Sequence, residues 1–150
     1  MRHISIVARA PGRSAADIYR VISAFDRYPE HASVVRSVSV EPLREGVIAS
    51  SWEVEFRDGI LKWTEEDTFL PDQHRISFRQ LAGDVETFTG EWAVADAEGA
   101  ANVRFEADMD LGIPGIGDML EPIAEQALGE NIRAILTGLV GNTIEFIQPG

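Results

Sequence analysis

From Val38 to Leu111 the chain repeatedly reverses direction. Trp52, Val54 and Phe56 alternate with Glu53, Glu55 and Arg57, and Leu61, Trp63, Glu65, Asp67 and Phe69 alternate with Lys62, Thr64, Glu66 and Thr68. Strand-like stretches follow over 75–81, 85–95 and 102–111, with turn signals at Asp58-Gly59, Pro71-Asp72, Gly83-Asp84 and Glu98-Gly99. A parallel pair needs a long crossover, so five or six consecutive strands joined this closely form an antiparallel meander.

The flanks supply the rest. Ile4, Ile6 and Ala8 alternate with Ser5, Val7 and Arg9, giving a first strand of about eight residues that Pro11-Gly12 stops. Ser14 precedes Ala15-Ala16-Asp17 as in a capping box, and Ile18, Val21, Ile22 and Phe25 recur at helical spacing. Asp26-Arg27-Tyr28-Pro29-Glu30 reads as a break and a second short helix. Beyond the loop Gly112–Gly117, one long helix is expected from about Asp118 or Glu121 to about Phe146, with Pro122 in its first turn. Leu120, Ala124, Leu128, Ile135 and Leu139 form its apolar stripe, with Ala127 and Asn131 beside it. The expectation is one α+β domain over residues 1–150, a curved antiparallel sheet wrapped around a helix roughly 38 Å long. A cavity is expected between them, with the Gly/Pro loop at its mouth.

Charge and composition remove several function classes. Thirteen Lys and Arg face 25 Asp and Glu, a net charge of −12, and Lys62 is the single lysine. Phosphate neutralisation needs clustered basic residues, so nucleic acid and anionic membranes are poor partners. With no cysteine there is no disulfide, thiolate nucleophile or zinc–cysteine site. No apolar run reaches the ~18 residues of a membrane span, and Met1-Arg2-His3-Ile4-Ser5 leads into a strand, so a cytoplasmic protein is expected. His3, His31 and His74 are scattered, so no metal is expected. Gly112 and Gly117 lack the Lys-Ser/Thr of a phosphate loop, and no Gly-x-Ser-x-Gly is present. No cofactor is expected.

Glu65 and Asp67 are the sharpest feature. Two apart on a strand, they share a face with Leu61, Trp63 and Phe69. Carboxyls on an apolar face are pushed toward the neutral form and oppose each other's ionisation, which suits general acid and base work near neutral pH. The alternatives are an outward-facing strand, or acids held inside by an arginine as a structural ion pair. Trp52, Trp63, Phe78, Phe88 and Trp92 provide much of the large apolar surface, as core or as ligand wall. Tyr28 is a hydroxyl donor at the cavity wall or a helix-end packing residue. Asn131 bonds a ligand carbonyl or neighbouring backbone. His31 reads as a surface residue, Arg104, Glu106, Asp108 and Asp110 as a solvated sheet face, and Arg79 and Gln80 carry no assignment.

The order of elements and several local motifs resemble the START-like superfamily, whose fold is the helix grip (Bet v 1-like). The likeness is closest to its bacterial polyketide cyclase/dehydratase, or aromatase/cyclase, branch. It rests on Phe25-Asp26-Arg27-Tyr28-Pro29-Glu30, on Trp63 upstream of Leu70-Pro71-Asp72, on Phe88-Thr89-Gly90-Glu91-Trp92 and on Asn131-Ile132. The resemblance implies an apolar cavity that folds a poly-β-ketone, delivered by an acyl carrier protein, for aldol cyclisation and dehydration without metal or cofactor. Tyr28, Trp52, Trp63, Phe69, Phe78, Phe88, Trp92 and Asn131 would then bind ligand, and Glu65 and Asp67 would be catalytic. The chain departs from the branch after Trp63. Glu65, Asp67 and Phe69 stand where aromatases carry Trp, Ser and Arg, and Val35 stands where a tyrosine is expected. The missing arginine keeps a second reading open, a non-catalytic carrier of a lipid, quinone or polyketide metabolite. The protein is expected as a monomer, or as a homodimer through the apolar edge of its first strand.

Overall fold

The computed structural model describes residues 2–56, 59–112 and 117–147. Strand β1 (Arg2–Pro11) leads to helix α1 (Ala15–Ser23), a 3₁₀ turn at Phe25–Arg27 and the short helix α2 (Tyr28–His31). Six strands follow: β2 (Val35–Arg44), β3 (Val47–Phe56), β4 (Gly59–Leu70), β5 (Arg75–Gly83), β6 (Thr87–Ala97) and β7 (Ala100–Asp110). Helix α3 (Gly117–Val140) and strand β8 (Glu145–Ile147) are the last described elements. All eight strands form one sheet in the order β2-β3-β4-β5-β6-β7-β1-β8, with every pair antiparallel. The meander is therefore six strands long, and the α+β helix-grip architecture is the observed one. No helix among the described residues is long and apolar enough to cross a membrane.

Local chemistry explains the elements. The Ser14 side chain accepts from the Asp17 N–H at 3.1 Å, and Asp96 accepts from the Ala15 N–H at 2.8 Å, so two of α1's free donors are satisfied. On β7, Val103, Phe105, Ala107 and Met109 are buried, while Arg104 and Asp108 face solvent. On α3, Ala124, Leu128, Ile132, Ile135 and Leu136 are buried against the sheet, whereas Leu120 is exposed.

Three expectations change at the C-terminal end. Helix α3 stops at Val140, six residues before Phe146, because Gly141 takes φ +113° and returns its N–H to the Thr137 carbonyl at 2.9 Å. The segment read as its last turns is β8, whose Glu145–Ile147 pair with Val7–Arg9 and cover part of the β1 edge that would permit a dimer. Since α3 begins at Gly117, Pro122 lies in its second turn and forfeits a helical hydrogen bond. Residues 57–58 of the Asp58-Gly59 turn and 113–116 of the Gly/Pro loop lie outside the described residues, and with them the expected cavity mouth.

Helix α3 also meets α2 closely. A Cβ on Gly138 would sit 2.0 Å from the His31 carbonyl oxygen, so glycine is required for this approach. His31 itself is exposed, as expected.

Candidate functional site

The concave face of β3 and β4 brings the site together. Cross-strand pairing sets Ser50 opposite Glu65, Ile48 opposite Asp67 and Trp52 opposite Trp63. On β4, Glu65 is 5% exposed and Asp67 fully buried, while Lys62 is turned outward. An irregularity in the β4–β5 pairing between Thr64 and Glu65 helps aim this stretch. Glu66, on the opposite face, carries the arginines: Arg44 at 3.1 Å and Arg79 at 3.2 Å. Among the described residues no cation pairs with Glu65 or Asp67.

Instead they sit in a chain of neutral donors. Trp63 Nε1 donates to Glu65 Oε1 at 2.6 Å. Trp52 Nε1 donates to Ser50 Oγ at 2.7 Å, and Ser50 Oγ donates to Asp67 Oδ2 at 2.5 Å. Asp67 Oδ1 is buried with no donor. Burial pushes the Glu65 carboxyl well above the usual carboxylate range, and the neighbouring Asp67 carboxyl pushes the same way. Burial also raises Asp67, against the opposing influence of Glu65 and of the Ser50 hydrogen bond. The two therefore titrate as a pair, with Glu65 the member more strongly held neutral.

A cavity of about 50 Å³ borders Glu65. Its wall includes Tyr28, Trp52, Trp63, Phe78, Phe88, Trp92 and Asn131 of the residues expected from sequence. It adds Phe25, Val54 and Phe105, and Leu128, Ile132 and Ile135 from α3. Asp67 and Phe69 do not line it. Asp67 lies behind Glu65, and Phe69 packs on Phe25 with ring centres 5.6 Å apart. Two further expectations resolve. The Tyr28 hydroxyl donates to the Ile22 carbonyl at 2.6 Å, so it offers its ring rather than its proton. The Asn131 amide donates to the Glu55 carbonyl at 2.7 Å, tying α3 to β3.

The walls are a continuous aromatic lattice. Trp52 and Trp63 lie parallel at 5.8 Å, Trp63 meets Phe88 edge-on at 5.7 Å, and Phe78 contacts both Phe88 at 5.1 Å and Phe105 at 5.8 Å. Such a surface suits a flat, apolar, unsaturated guest. The cavity is small against the roughly 300–1,000 Å³ usual for ligands of several rings. Trp63, Phe88 and Leu128 separate it from a second void of about 10 Å³ reached by Leu61, Val85 and Met109.

Ser50 was missed by sequence reasoning, although its position two before Trp52 put a polar group in the inward phase of β3. Gln80, unassigned from sequence, reaches the β5–β6 turn, where its amide donates to the Val85 carbonyl at 2.7 Å.

Solved structures share this architecture. A protein from Thermus thermophilus superposes with a TM-score of 0.84 at 20% identity, over 92% of this chain and 94% of that one. The Zhui aromatase/cyclase from a Streptomyces species gives 0.84 at 18% identity, over 95% and 93%. A START superfamily protein from Mycobacterium smegmatis gives 0.75 at 17% identity, over 92% and 96%. At such identities the likeness is one of fold. Comparison with curated protein sequences gives no match. The family model for polyketide cyclase / dehydrase and lipid transport matches residues 12–136. The chain therefore belongs to the polyketide cyclase/dehydrase and lipid transport family.

Proposed function

We propose that the protein is a polyketide cyclase/dehydratase that folds a poly-β-ketone against the aromatic wall and closes a ring by aldol chemistry. The observation that carries this reading is a buried carboxyl pair with no cation beside it among the described residues, one member of which borders an aromatic cavity. Glu65 is the group that meets substrate, and Asp67 is its partner from behind. With Glu65 ionised, it removes an α-proton, the enolate carbon attacks a ketone carbon, and the new alkoxide takes the proton from Glu65. In the dehydration Glu65 removes a second α-proton and returns it to the departing hydroxyl as water. Holding a flexible chain in one folded geometry supplies much of the rate through orientation.

On this reading the cavity widens on loading, with Trp63 and Leu128 yielding between the two voids. The protein works in the cytoplasm, as a monomer or homodimer, on a chain delivered by an acyl carrier protein. The test is to add the protein to a minimal aromatic polyketide synthase. A new, regiochemically uniform cyclised product supports the reading, and an unchanged product profile contradicts it.

The second reading, a carrier of an apolar small molecule, draws on two observations. Phe69 stands where aromatases have arginine, and Glu65 and Asn131 are the cavity's main polar wall. Such a protein would be isolated with a lipid, quinone or polyketide metabolite bound and would leave the product profile unchanged.

A further inference from the structure

Ser50 is fully buried on β3, and its hydroxyl is engaged by two side chains. Its oxygen accepts from Trp52 Nε1, so its hydroxyl proton is free to point along the 2.5 Å contact to Asp67 Oδ2. A hydroxyl fixed in this way is a one-directional donor, and a donor favours the ionised form of the carboxyl it meets.

The other Asp67 oxygen makes a complementary demand. Oδ1 is buried without a donor, which is expensive for an anionic oxygen. Glu65, two residues back on the same buried face of β4, is the carboxyl that interacts with Asp67. A proton shared with Glu65 would ease that demand, while Trp63 Nε1 holds Glu65 Oε1. Among the described residues the remaining titratable neighbours add no cation. Tyr28 faces the pair from α2 with its hydroxyl committed to Ile22, and Glu66 lies on the opposite face with Arg44 and Arg79.

We propose that Ser50, oriented by Trp52, is a positioning residue that keeps Asp67 the anionic member of the pair and leaves their common proton on Glu65, at the cavity edge. This rests on the cyclase reading for its use, since it assigns the resting acid of that site. Passing the proton from Glu65 to Asp67 turns Glu65 into the base, and passing it back restores the acid. No proton is gained or lost in the exchange. Ser50 sets the balance between the two forms without touching substrate.

The test is a carboxyl ¹³C NMR titration of the Glu65 Cδ and Asp67 Cγ signals in wild type, Ser50→Ala, Ser50→Thr and Trp52→Phe. Ser50→Ala should raise the Asp67 midpoint by about one pH unit, and Ser50→Thr, which keeps the hydroxyl, should restore it. Trp52→Phe should shift it the same way by about half as much, and it decides the question if Ser50→Ala does not fold. Midpoints unchanged in a folded Ser50→Ala or Trp52→Phe protein would overturn the proposal, because a packing role would not move them. A shift in titration without any cyclised product would leave the positioning role standing and remove the cyclase reading. Product formation by Ser50→Ala with the wild-type pH–rate profile would remove the positioning role and leave the cyclase.

Discussion

Trp63 donates its indole N–H to Glu65, two residues further along the same strand, at 2.6 Å. One side chain therefore holds the acid and forms the partition between the voids of about 50 and 10 Å³. Replacing Trp63 with alanine should join the voids, so a neutral apolar fluorophore such as N-phenyl-1-naphthylamine should bind about tenfold more tightly. Stability should fall by about 3 kcal/mol. Trp63→Phe, which keeps the partition, should bind it like wild type. Equal affinity in all three proteins would contradict the partition.

The buried pair makes stability depend on pH. Both carboxyls titrate higher in the folded protein than in the unfolded chain, chiefly through burial. The folded state therefore binds protons that the unfolded chain has already released. Stability from these groups is full below the ordinary carboxylate range near about pH 4 and is lost as pH rises through the raised values. Glu53, lowered by hydrogen bonds from Ser37 and Lys62, acts with the opposite sign, but it is solvent-facing and screened. Thermal unfolding at pH 5 and pH 8 should show a drop for wild type, of about 1.4 kcal/mol per unit of raised pKa. Glu65→Gln should flatten the drop and melt above wild type at pH 8. A wild-type melting temperature that rises between those pH values would refute this.

Gly90 makes room for the cavity floor. A Cβ there would lie 2.2 Å from the Glu106 carbonyl oxygen and 2.8 Å from Cζ of Phe78. Both Phe78 contacts, to Phe88 and Phe105, would have to shift. Gly90→Ala should lose about 3 kcal/mol in urea unfolding, whereas strand propensity alone favours alanine. A change below about 0.5 kcal/mol would mean the floor can relax.

Much of this was legible in the sequence because period-two alternation is a direct record of which face is buried. It gave the inward turn of Glu65 and Asp67 on β4 and the outward turn of Arg104 and Asp108 on β7. The end of α3 was not legible, since Ile144 and Phe146 continue an apolar pattern that only Gly141's positive φ interrupts. Nor was depth. Alternation assigns Asp67 and Phe69 to the inner face, but only packing shows that Glu65 borders the cavity while they lie outside its wall. Ser50 escaped notice because a small hydroxyl in an inward phase gains meaning only from its partners, and those are set by register between β3 and β4.

On the cyclase reading, Glu65, backed by Asp67, performs proton transfer on a bound polyketone. The most direct measurement compares the products of a minimal aromatic polyketide synthase supplied with wild type, Glu65→Gln, Asp67→Asn or the double variant, alongside each protein's affinity for the cyclised product. The account predicts a uniform cyclised product from wild type, its formation slowed at least about 100-fold in the double variant, and product affinity within about threefold of wild type. Undiminished product formation by the double variant would contradict it.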